Sequence, residues 1–498
     1  MWARKRIDIG RREMVAGLRC CLFSRSSVGS RNIIARHFRL DNGGPIPLPV
    51  NSKRGDFGSN GFELDNFDPD SFESPECFLS VRSGFDLLLQ TIKTTKSNSQ
   101  TDLRSSDGSH ARELQPEVIF SGLTIVDMPR IAEAHGFAVV AADIDPHTLS
   151  PSVEEIESRI TPRTKLIVIA HLMGGLVDIG PIAQLAQKYG LMLIEDCAQA
   201  YVGNHFTGSN MADVSMFSFG TIKTNTALGG AVFFIRDPEL KLKLGEAHQR
   251  WPIQPNRAYA KRILRIGVVK IASKWPVAAL IRIAFRISGR NHDDMAASMT
   301  KSFPGDRFFE KIRQQPSPAL LSVMARRILQ FSSETIHVRS ERGELLSQTI
   351  LSHNDELIPI GYFTLSPTHW VFAVMLQNAD QTADLLWKNG FDATNHSSLC
   401  AVTPSVPAHN PSSTSYSGKD SLSNPTVTSQ ASAIRGKMLF LPTDLLPEKQ
   451  LIRMGTLVGK FGIPATITKA GPTEFPQHDS SEQHATGQRE NRLLSRPE

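Results

Sequence analysis

The sequence predicts an α/β protein whose main sheet is mostly parallel and covered on both faces. Four short runs rich in Val, Ile and Leu alternate with segments of helical period, a pattern typical of strands buried on both sides. The connector 180–190 agrees with this prediction, because Pro181 lies where a helix is expected to begin and Gly190 where a left-handed cap is expected to end it. The four runs cover residues 118–124, 137–144, 165–172 and 191–196, and two further strand-like runs follow at 214–220 and 230–236.

Changes of composition divide the 498 residues into five predicted parts. A chain of this length usually folds around more than one core, so we expect two folded domains joined by an atypical segment. Residues 404–433, rich in Ser, Pro and Thr, are predicted to form a loop of the second domain. The parts are a disordered or poorly assigned start at 1–76, a large α/β domain at 77–245, a basic segment at 246–317, a small C-terminal α/β domain at 318–470 and a disordered tail at 471–498.

Charge and cysteine content set broad limits on the environment of the protein. The formal net charge of +6 is spread unevenly, and we expect no nucleic-acid partner. The five cysteines form no CxxC pair and are too few for a disulfide framework, so we expect a cytoplasmic protein without a metal site. The first forty residues are rich in Arg, which leaves two alternatives open: a transit peptide, or a start that is disordered or wrongly assigned.

Three features lie at predicted strand ends, where open α/β sheets bind ligands. Asp196 closes a strand, Lys223 follows the strand that holds Ser218, and Ser83 and Gly84 precede a segment of helical period. Each feature alone has an ordinary explanation, as a helix cap, a solvated lysine or a turn. Together they are what pyridoxal phosphate requires: an amine that attaches its aldehyde, a carboxylate that keeps its pyridine nitrogen protonated, and amides with a hydroxyl that hold its phosphate.

The order and spacing of these residues resemble those of a known family. The stretches "LIEDCAQAYVG" and "ADVSMFSFGTIKTNTALGGAVFF" are similar to the DegT/DnrJ/StrS sugar aminotransferases, in which an "IEDAAQA" strand precedes "SF" and a lysine five residues after the serine. Ser218 and Lys223 keep that interval. The resemblance runs from about Cys77 to about Arg236 and resumes weakly in the C-terminal part. It implies the aspartate aminotransferase-like fold (fold type I) of the PLP-dependent transferases, and a homodimer.

The resemblance also implies a role for each matching residue. Lys223 would attach pyridoxal 5'-phosphate and then move the proton during transamination. Asp196 would pair with the pyridine nitrogen, and Gln199 would lie over the ring near its phenolic oxygen. The phosphate would be held by Ser218, Ser83, Gly84 and the backbone amide of Phe85.

The chain departs from the family pattern at several positions. Phe85 stands where family members commonly have a phosphate-binding threonine, and Ile125 where many have an aromatic residue that stacks on the cofactor. The usual "GEGG" after the lysine is reduced to "LGG", and the asparagine by which a partner subunit often contacts the phosphate has no clear match.

The resemblance predicts an aminotransferase that moves an amino group from an amino acid, glutamate in the family, to a keto group on a nucleotide-activated sugar. Such products serve surface polysaccharide, cell wall or glycosylated-product biosynthesis. The alternative is a diverged member that keeps the fold but has a binding or regulatory role. Sugar dehydration with the same cofactor is disfavoured, because relatives with that activity replace the lysine by histidine and Lys223 is present.

Residues 250–290 form a strongly basic stretch. It contains ten Lys or Arg residues and no Asp or Glu, too many cations for a membrane-spanning helix. Two alternatives remain open for it. It could be an insertion packed on the protein, or a surface element that contacts an anionic membrane or a polyanionic substrate.

Overall fold

The computed structural model describes residues 7–24, 26–39, 75–100, 115–203, 206–272, 307–405, 429–444 and 446–465. These residues belong to one compact unit that ends at Ala465. The predicted tail at 471–498 and most of the predicted loop at 404–433 lie outside the described residues, as do 40–74 and 273–306. The predicted domain boundaries remain predictions.

The described chain alternates helices with short strands. The helices are α1 Arg11–Phe23, α2 Val28–Arg39, α3 Val81–Gln100, α4 Asp127–Ala134, α5 Val153–Glu157, α6 Gly180–Lys188, α7 Pro238–Gln249, α8 Asn256–Ala272, α9 Phe308–Ile312, α10 Pro318–Leu329, α11 Glu334–Leu351, α12 Ala379–Lys388, α13 Ser429–Lys437 and α14 Glu448–Phe461. The strands are β1 Glu76–Phe78, β2 Glu117–Ser121, β3 Leu123–Ile125, β4 Ala138–Ala142, β5 Thr164–Ala170, β6 Met192–Asp196, β7 Val214–Ser218, β8 Ala231–Ile235, β9 Phe372–Met375, β10 Leu399–Ala401 and β11 Met438–Leu441.

The main sheet has seven strands in the order β1-β8-β7-β6-β5-β2-β4. The pairs from β4 to β7 are parallel, and β8 pairs antiparallel with both β7 and β1. Every residue of β2 and β8 is buried, as expected for strands covered by helices on both faces. The sheet confirms the prediction of a mostly parallel, doubly covered architecture.

The predicted run at 118–124 forms two strands rather than one. The chain leaves the main sheet after β2, and β3 pairs antiparallel with β10 in a separate two-stranded sheet. A third sheet, β9 with β11, supports a second apolar core in the C-terminal part. Continuous apolar character therefore predicted the strands but not the turn at Gly122 that separates them.

The N-terminal helices contradict the expectation that residues 1–76 are disordered or poorly assigned, as far as residues 7–39 are described. Ile34 is fully buried and Phe38 nearly so, both within the main apolar core. A Cβ atom on Gly17 would lie 2.9 Å from Ile263 Cδ1, so α1 lies very close to α8. The apolar residues of α1 and α2 have partners that lie far away in the sequence, which composition alone does not reveal.

Part of the basic stretch forms α8, which has two different faces. Tyr259, Ile263 and Ile266 are buried, and the Tyr259 hydroxyl donates a hydrogen bond to Ala227 O at 2.7 Å. The packed face agrees with the insertion alternative for residues 256–272. Leu264, Val268 and Ile271 are exposed, so α8 keeps an apolar stripe on its other side. None of the described helices is both long enough and apolar enough to span a membrane.

Candidate functional site

Three chain segments meet at one edge of the main sheet. β6 and β7 are parallel, so Asp196 and Ser218 both end their strands at this edge. Phe78 at the end of β1 pairs with Ala231, which is also the partner of Ser218, so α3 begins at the same edge. The structure thus places Asp196, Ser218 and the start of α3 along one edge, as strand-end reasoning predicts.

Lys223 lies in the turn between β7 and β8. Its backbone N–H donates to Gly220 O at 3.0 Å, and the half-buried side chain places Nζ 4.6 Å from the centre of the Trp370 ring. Burial lowers the pKa of Lys223 from 10.5 to about 8, although the Asp196 carboxylate opposes this shift, and the Arg82 cation adds to it. A lysine with this pKa has a substantial neutral fraction near physiological pH, and only the neutral amine can attack a carbonyl or accept a proton.

Asp196 is buried and its pKa is raised. Burial is the main cause, opposed by a hydrogen bond from the Ala198 N–H to Oδ1 at 3.0 Å and by the charge of Lys223. A carboxylate that is costly to ionise gains most from a cationic or protonated partner. This side chain is therefore suited to accept a hydrogen bond from a protonated ring nitrogen.

A buried polar cluster lies behind Asp196. His171 Nδ1 accepts from Val177 N–H at 2.9 Å, so in the neutral ring Nε2 carries the proton and donates it to Glu195 Oε1 at 3.1 Å. Glu195 also accepts from the Ser215 hydroxyl at 2.6 Å. Burial raises the pKa of Glu195, but the hydrogen bonds from His171 and Ser215 and the charge of Arg236 outweigh this and hold it below its usual value. These hydrogen bonds connect the end of β5 to the end of β6, where Asp196 lies.

The Cys197 thiol, which lies with His171 and Glu195 in this cluster, keeps its proton. Burial and the neighbouring carboxylates raise its pKa well above the ordinary thiol value. A metal ion bound by this cluster would have to displace that proton, because the thiolate is the ligand.

Gln199 makes a hydrogen bond within the protein in this structure. Its Oε1 accepts a hydrogen bond from Met173 N–H at 2.8 Å. The amide oxygen therefore fastens the turn after β5 next to Asp196. Contact between Gln199 and a cofactor ring stays a prediction.

Ser218 lies beside Lys223 as predicted. Its hydroxyl accepts from Gly220 N–H at 3.3 Å. A Cβ atom on Gly220 would lie 3.4 Å from Ser218 Oγ and 3.7 Å from Lys223 Cγ, so both side chains border the space next to Gly220. A phosphate contact for Ser218 stays a prediction.

The predicted turn at Ser83 and Gly84 is wrong, because α3 begins earlier, at Val81. Ser80 caps the helix: its Oγ accepts from Ser83 N–H at 3.2 Å, and its carbonyl accepts from Gly84 N–H at 3.1 Å. The free amides of a helix precede its hydrogen-bonded turns, so they lie at Val81 and Arg82 rather than at Phe85.

The three predicted residues instead have internal partners. The Ser83 side chain is buried and hydrogen-bonds with Ser80 Oγ at 2.9 Å. Gly84 leaves room for the Phe233 ring, which a Cβ atom would overlap. Phe85 is fully buried, edge-to-face with Phe120 at 6.3 Å between ring centres. Phosphate contacts of Ser83, Gly84 and the Phe85 amide stay predictions.

Sequence analysis missed two residues of the site. Arg82 lies at the start of α3, its charge acts on both Lys223 and Asp196, and it forms an ion pair with Asp127. Its position directly before Ser83, a residue predicted to hold the phosphate, could have identified Arg82 as a candidate site residue. Trp370, whose ring lies over Lys223 Nζ, is 147 positions away in the sequence and has no recognisable local motif.

The donors and acceptors at this edge suit a ligand of defined chemistry. The start of α3 with Arg82 favours an anion. Lys223 offers a reactive amine, and Asp196 a buried carboxylate. Pyridoxal phosphate has a phosphate, an aldehyde and a basic ring nitrogen in one molecule, so the described residues fit it in kind.

Comparison with known proteins agrees with this chemistry. Residues 110–250 match the DegT/DnrJ/EryC1/StrS aminotransferase family, so the resemblance expected from the sequence is confirmed for that part of the chain. The L-glutamine:2-deoxy-scyllo-inosose aminotransferase of Streptomyces kanamyceticus is 36% identical over 131 residues, which cover 26% of this chain and 30% of that relative. GDP-perosamine synthase of Caulobacter vibrioides is 34% identical over 146 residues, covering 29% of this chain and 39% of the relative. The match thus spans about a third of each relative.

The fold extends well beyond that segment. The PLP-form of the putative sugar aminotransferase Spr1654 from Streptococcus pneumoniae superimposes with a TM-score of 0.54 over 92% of this chain and 98% of its own, at 14% identity. This similarity confirms the predicted fold, that of the PLP-dependent sugar aminotransferases.

Proposed function

We propose that this chain is a pyridoxal-phosphate-dependent aminotransferase that moves an amino group from an amino acid to a keto group on a nucleotide-activated sugar. The observation that carries the proposal is a lysine with a pKa of about 8 beside a buried carboxylate at the ligand-binding edge of the sheet. The family match over residues 110–250 contains both residues.

The described residues could hold the cofactor as follows. Lys223 would attach it, Asp196 would accept a hydrogen bond from the protonated ring nitrogen, and Ser218 with Arg82 and the start of α3 would surround the phosphate. When bound, the cofactor supplies an electron sink for the C–H bond that is broken in the amino acid.

The proton transfers fall to Lys223. Burial lowers the pKa of Lys223 to about 8. At neutral pH, Nζ is therefore unprotonated in a fraction of the molecules. That nitrogen can take a proton from the amino-acid carbon and return it at the acceptor. The Trp370 ring, 4.6 Å from Nζ, shields one side of the amine from water and limits the directions in which it points.

The substrate classes come from the relatives and from the family pattern. GDP-perosamine synthase is named for a nucleotide sugar and the Streptomyces enzyme for glutamine as donor. We therefore propose a nucleotide-linked keto sugar as acceptor and glutamate as donor, with glutamine as the first competitor to test. A role in surface polysaccharide or cell wall biosynthesis, and a homodimeric state measurable by light scattering, belong to the same proposal.

The cofactor assignment is tested by reducing the protein with borohydride after incubation with pyridoxal phosphate and mapping the peptides. We expect the label on Lys223, and no label in Lys223→Arg, which keeps the charge but cannot form the bond. Lys261→Arg, at an exposed position of α8, is the matched control and should label as wild type. A label on another lysine would contradict the site.

The activity is tested by single-turnover reactions with a panel of amino donors, following keto acid by mass spectrometry. We expect conversion with glutamate or glutamine, and transfer of the amino group to a keto nucleotide sugar afterwards. A protein that labels at Lys223 but converts no donor would favour the alternative of a diverged member with a binding role.

A further inference from the structure

Arg339 is a buried arginine that connects two loops at the candidate site. It lies in α11, and its guanidinium uses three nitrogens. Nε donates to Thr368 O at 2.7 Å, Nη2 to Thr368 Oγ1 at 3.3 Å, and Nη1 to Thr224 Oγ1 at 3.2 Å. Thr224 directly follows Lys223, and Thr368 lies two residues before Trp370.

A third segment joins the same contact. Thr368 Oγ1 donates to Gly174 O at 2.9 Å, and Thr368 N donates to the same oxygen at 2.9 Å. Gly174 has a φ of +87°, and a Cβ atom there would lie 2.6 Å from Trp370 N. The loop that carries Trp370 is thus held between Arg339 and the turn after β5.

Both loops contain residues in the left-handed region of backbone space. Asn225 and Leu228 follow Lys223 with φ of 55° and 61°, and Ser366 and His369 precede Trp370 with φ of 45° each. Such conformations are unfavourable for residues other than glycine and persist where surrounding contacts impose them. Arg339 contacts one loop through Thr224 and the other through Thr368.

The contacts of Arg339 are unusual for a buried cation. The three acceptors of these hydrogen bonds are neutral oxygens, and burial lowers the pKa of Arg339 to about 10, although the charges of Asp444 and Asp8 oppose this. Buried cations that lack a directly bonded carboxylate are poor sources of stability. A planar fork that bonds two loops at once does, however, fix their relative position.

We propose that Arg339 is a positioning residue that holds the Lys223 turn and the Trp370 ring together, and so keeps the Lys223 amine shielded from water. The inference rests on the proposed role of Lys223 as the reactive amine. It assigns no contact between Arg339 and a substrate.

The test measures Lys223 without using the activity. The full-length protein, freed of any bound carbonyl compound by hydroxylamine and dialysis, is trace-labelled with acetic anhydride across a pH series. Mass spectrometry of the Lys223 peptide then gives the pH midpoint of its reactivity. The midpoint is independent of how fast the reagent reaches the amine. The charged groups that act on Lys223 in this state are Asp196 from β6 and Arg82 from α3.

In Arg339→Met we expect the two loops to separate and water to reach Lys223. Its midpoint should rise from about 8 by one unit or more toward the ordinary lysine value of about 10.4. Arg339→Lys supplies a charge but not the fork, and should restore part of the shift. Arg342→Met is the matched control: Arg342 lies on the same helix, and its Nη1 donates to Asp444 O rather than to either loop.

The outcomes are separable. A thermal melt of each variant establishes that it is folded. An unchanged midpoint in folded Arg339→Met, or an equal rise in Arg342→Met, would overturn the inference. If Arg339→Met does not fold, Thr224→Val decides, because it removes only the acceptor of Nη1: a rise supports the inference and no rise refutes it. None of these measurements requires the protein to be an aminotransferase, so the failure of one proposal is distinguishable from the failure of the other.

Discussion

Lys223 and Asp196 have opposite charges, and burial disfavours the charged form of each residue. Burial lowers the pKa of the lysine and raises the pKa of the carboxyl group, and each charge partly offsets the shift of the other. The two residues therefore act as one electrostatic unit, and a change to either should be measurable at the other.

Asp196→Asn should change Lys223 even without a cofactor. Asp196 favours the charged amine, so its removal should move the labelling midpoint of Lys223 below about 8. With pyridoxal phosphate present, borohydride labelling should persist while amino transfer slows on the order of a hundredfold or more, since the ring nitrogen loses the group that keeps it protonated. Transfer at the wild-type rate would remove Asp196 from the proposed mechanism.

Lys223 should also make stability depend on pH. Its pKa is about 8 in the fold and 10.5 as the reference value, so between these pH values the unfolded chain binds more protons. The folded state is therefore destabilised below pH 8, and this penalty disappears as pH rises toward 10.5.

Replacing Lys223 with Met should therefore stabilise the cofactor-free protein at pH 7, by at most about 3 kcal/mol, and change little near pH 10.5. Urea unfolding of both proteins at the two pH values measures the difference. Lys261→Met, at an exposed position, controls for the loss of a surface charge. An equal effect of Lys223→Met at both pH values would show that the lysine is not desolvated.

Helix α8 combines internal and external roles along its length. Arg262 donates to Leu228 O at 3.1 Å and Lys270 to Ile7 O at 3.2 Å, so these cations hold the protein together. Arg257 and Lys261 are exposed and lie at helical spacing with the exposed stripe of Leu264, Val268 and Ile271. Exposed apolar residues and nearby exposed cations on one helix are the features through which a helix can bind an anionic membrane surface.

The membrane alternative for the basic stretch can now be tested without unfolding α8. Changing Arg257 and Lys261 to Gln should weaken binding to anionic vesicles about fivefold per charge at low salt, since each cation contributes about 1 kcal/mol. Neutral vesicles and high salt should abolish the difference. Negligible binding by both proteins would contradict membrane contact and be consistent with the packed insertion.

Most of the sheet, and the strand-end location of the site, could be predicted from local sequence. Asp196 and Ser218 end apolar runs, and the edge they share follows from parallel pairing alone. The start of α3 was misplaced, because the capping contact of Ser80 overrides the turn tendency of Ser83 and Gly84. Gln199 was found, but not its bond to Met173.

The remaining parts depend on contacts between distant positions. Trp370 and Arg339 contact the Lys223 turn from the C-terminal part of the unit, and no short sequence motif predicts the position of either residue. The N-terminal helices were missed for the same reason: Ile34 and Phe38 are buried by the tertiary structure, while their own segment is rich in arginine. Tertiary packing therefore limits what local patterns reveal here.

The docking of the N-terminal segment has a consequence for how the molecule assembles. Asp8 accepts a hydrogen bond from Asn225 N–H at 2.7 Å, and Arg327, 319 residues away in the chain, donates to Asp8 O at 2.6 Å. During synthesis Asp8 leaves the ribosome before the strands of the sheet, and its partner in α10 emerges only after most of the sheet. Contacts of such long sequence separation slow folding, because a very large loop must close before they form. The turn that carries Lys223 thus receives part of its support late, and a nascent chain can complete its sheet before Lys223 is fixed in place.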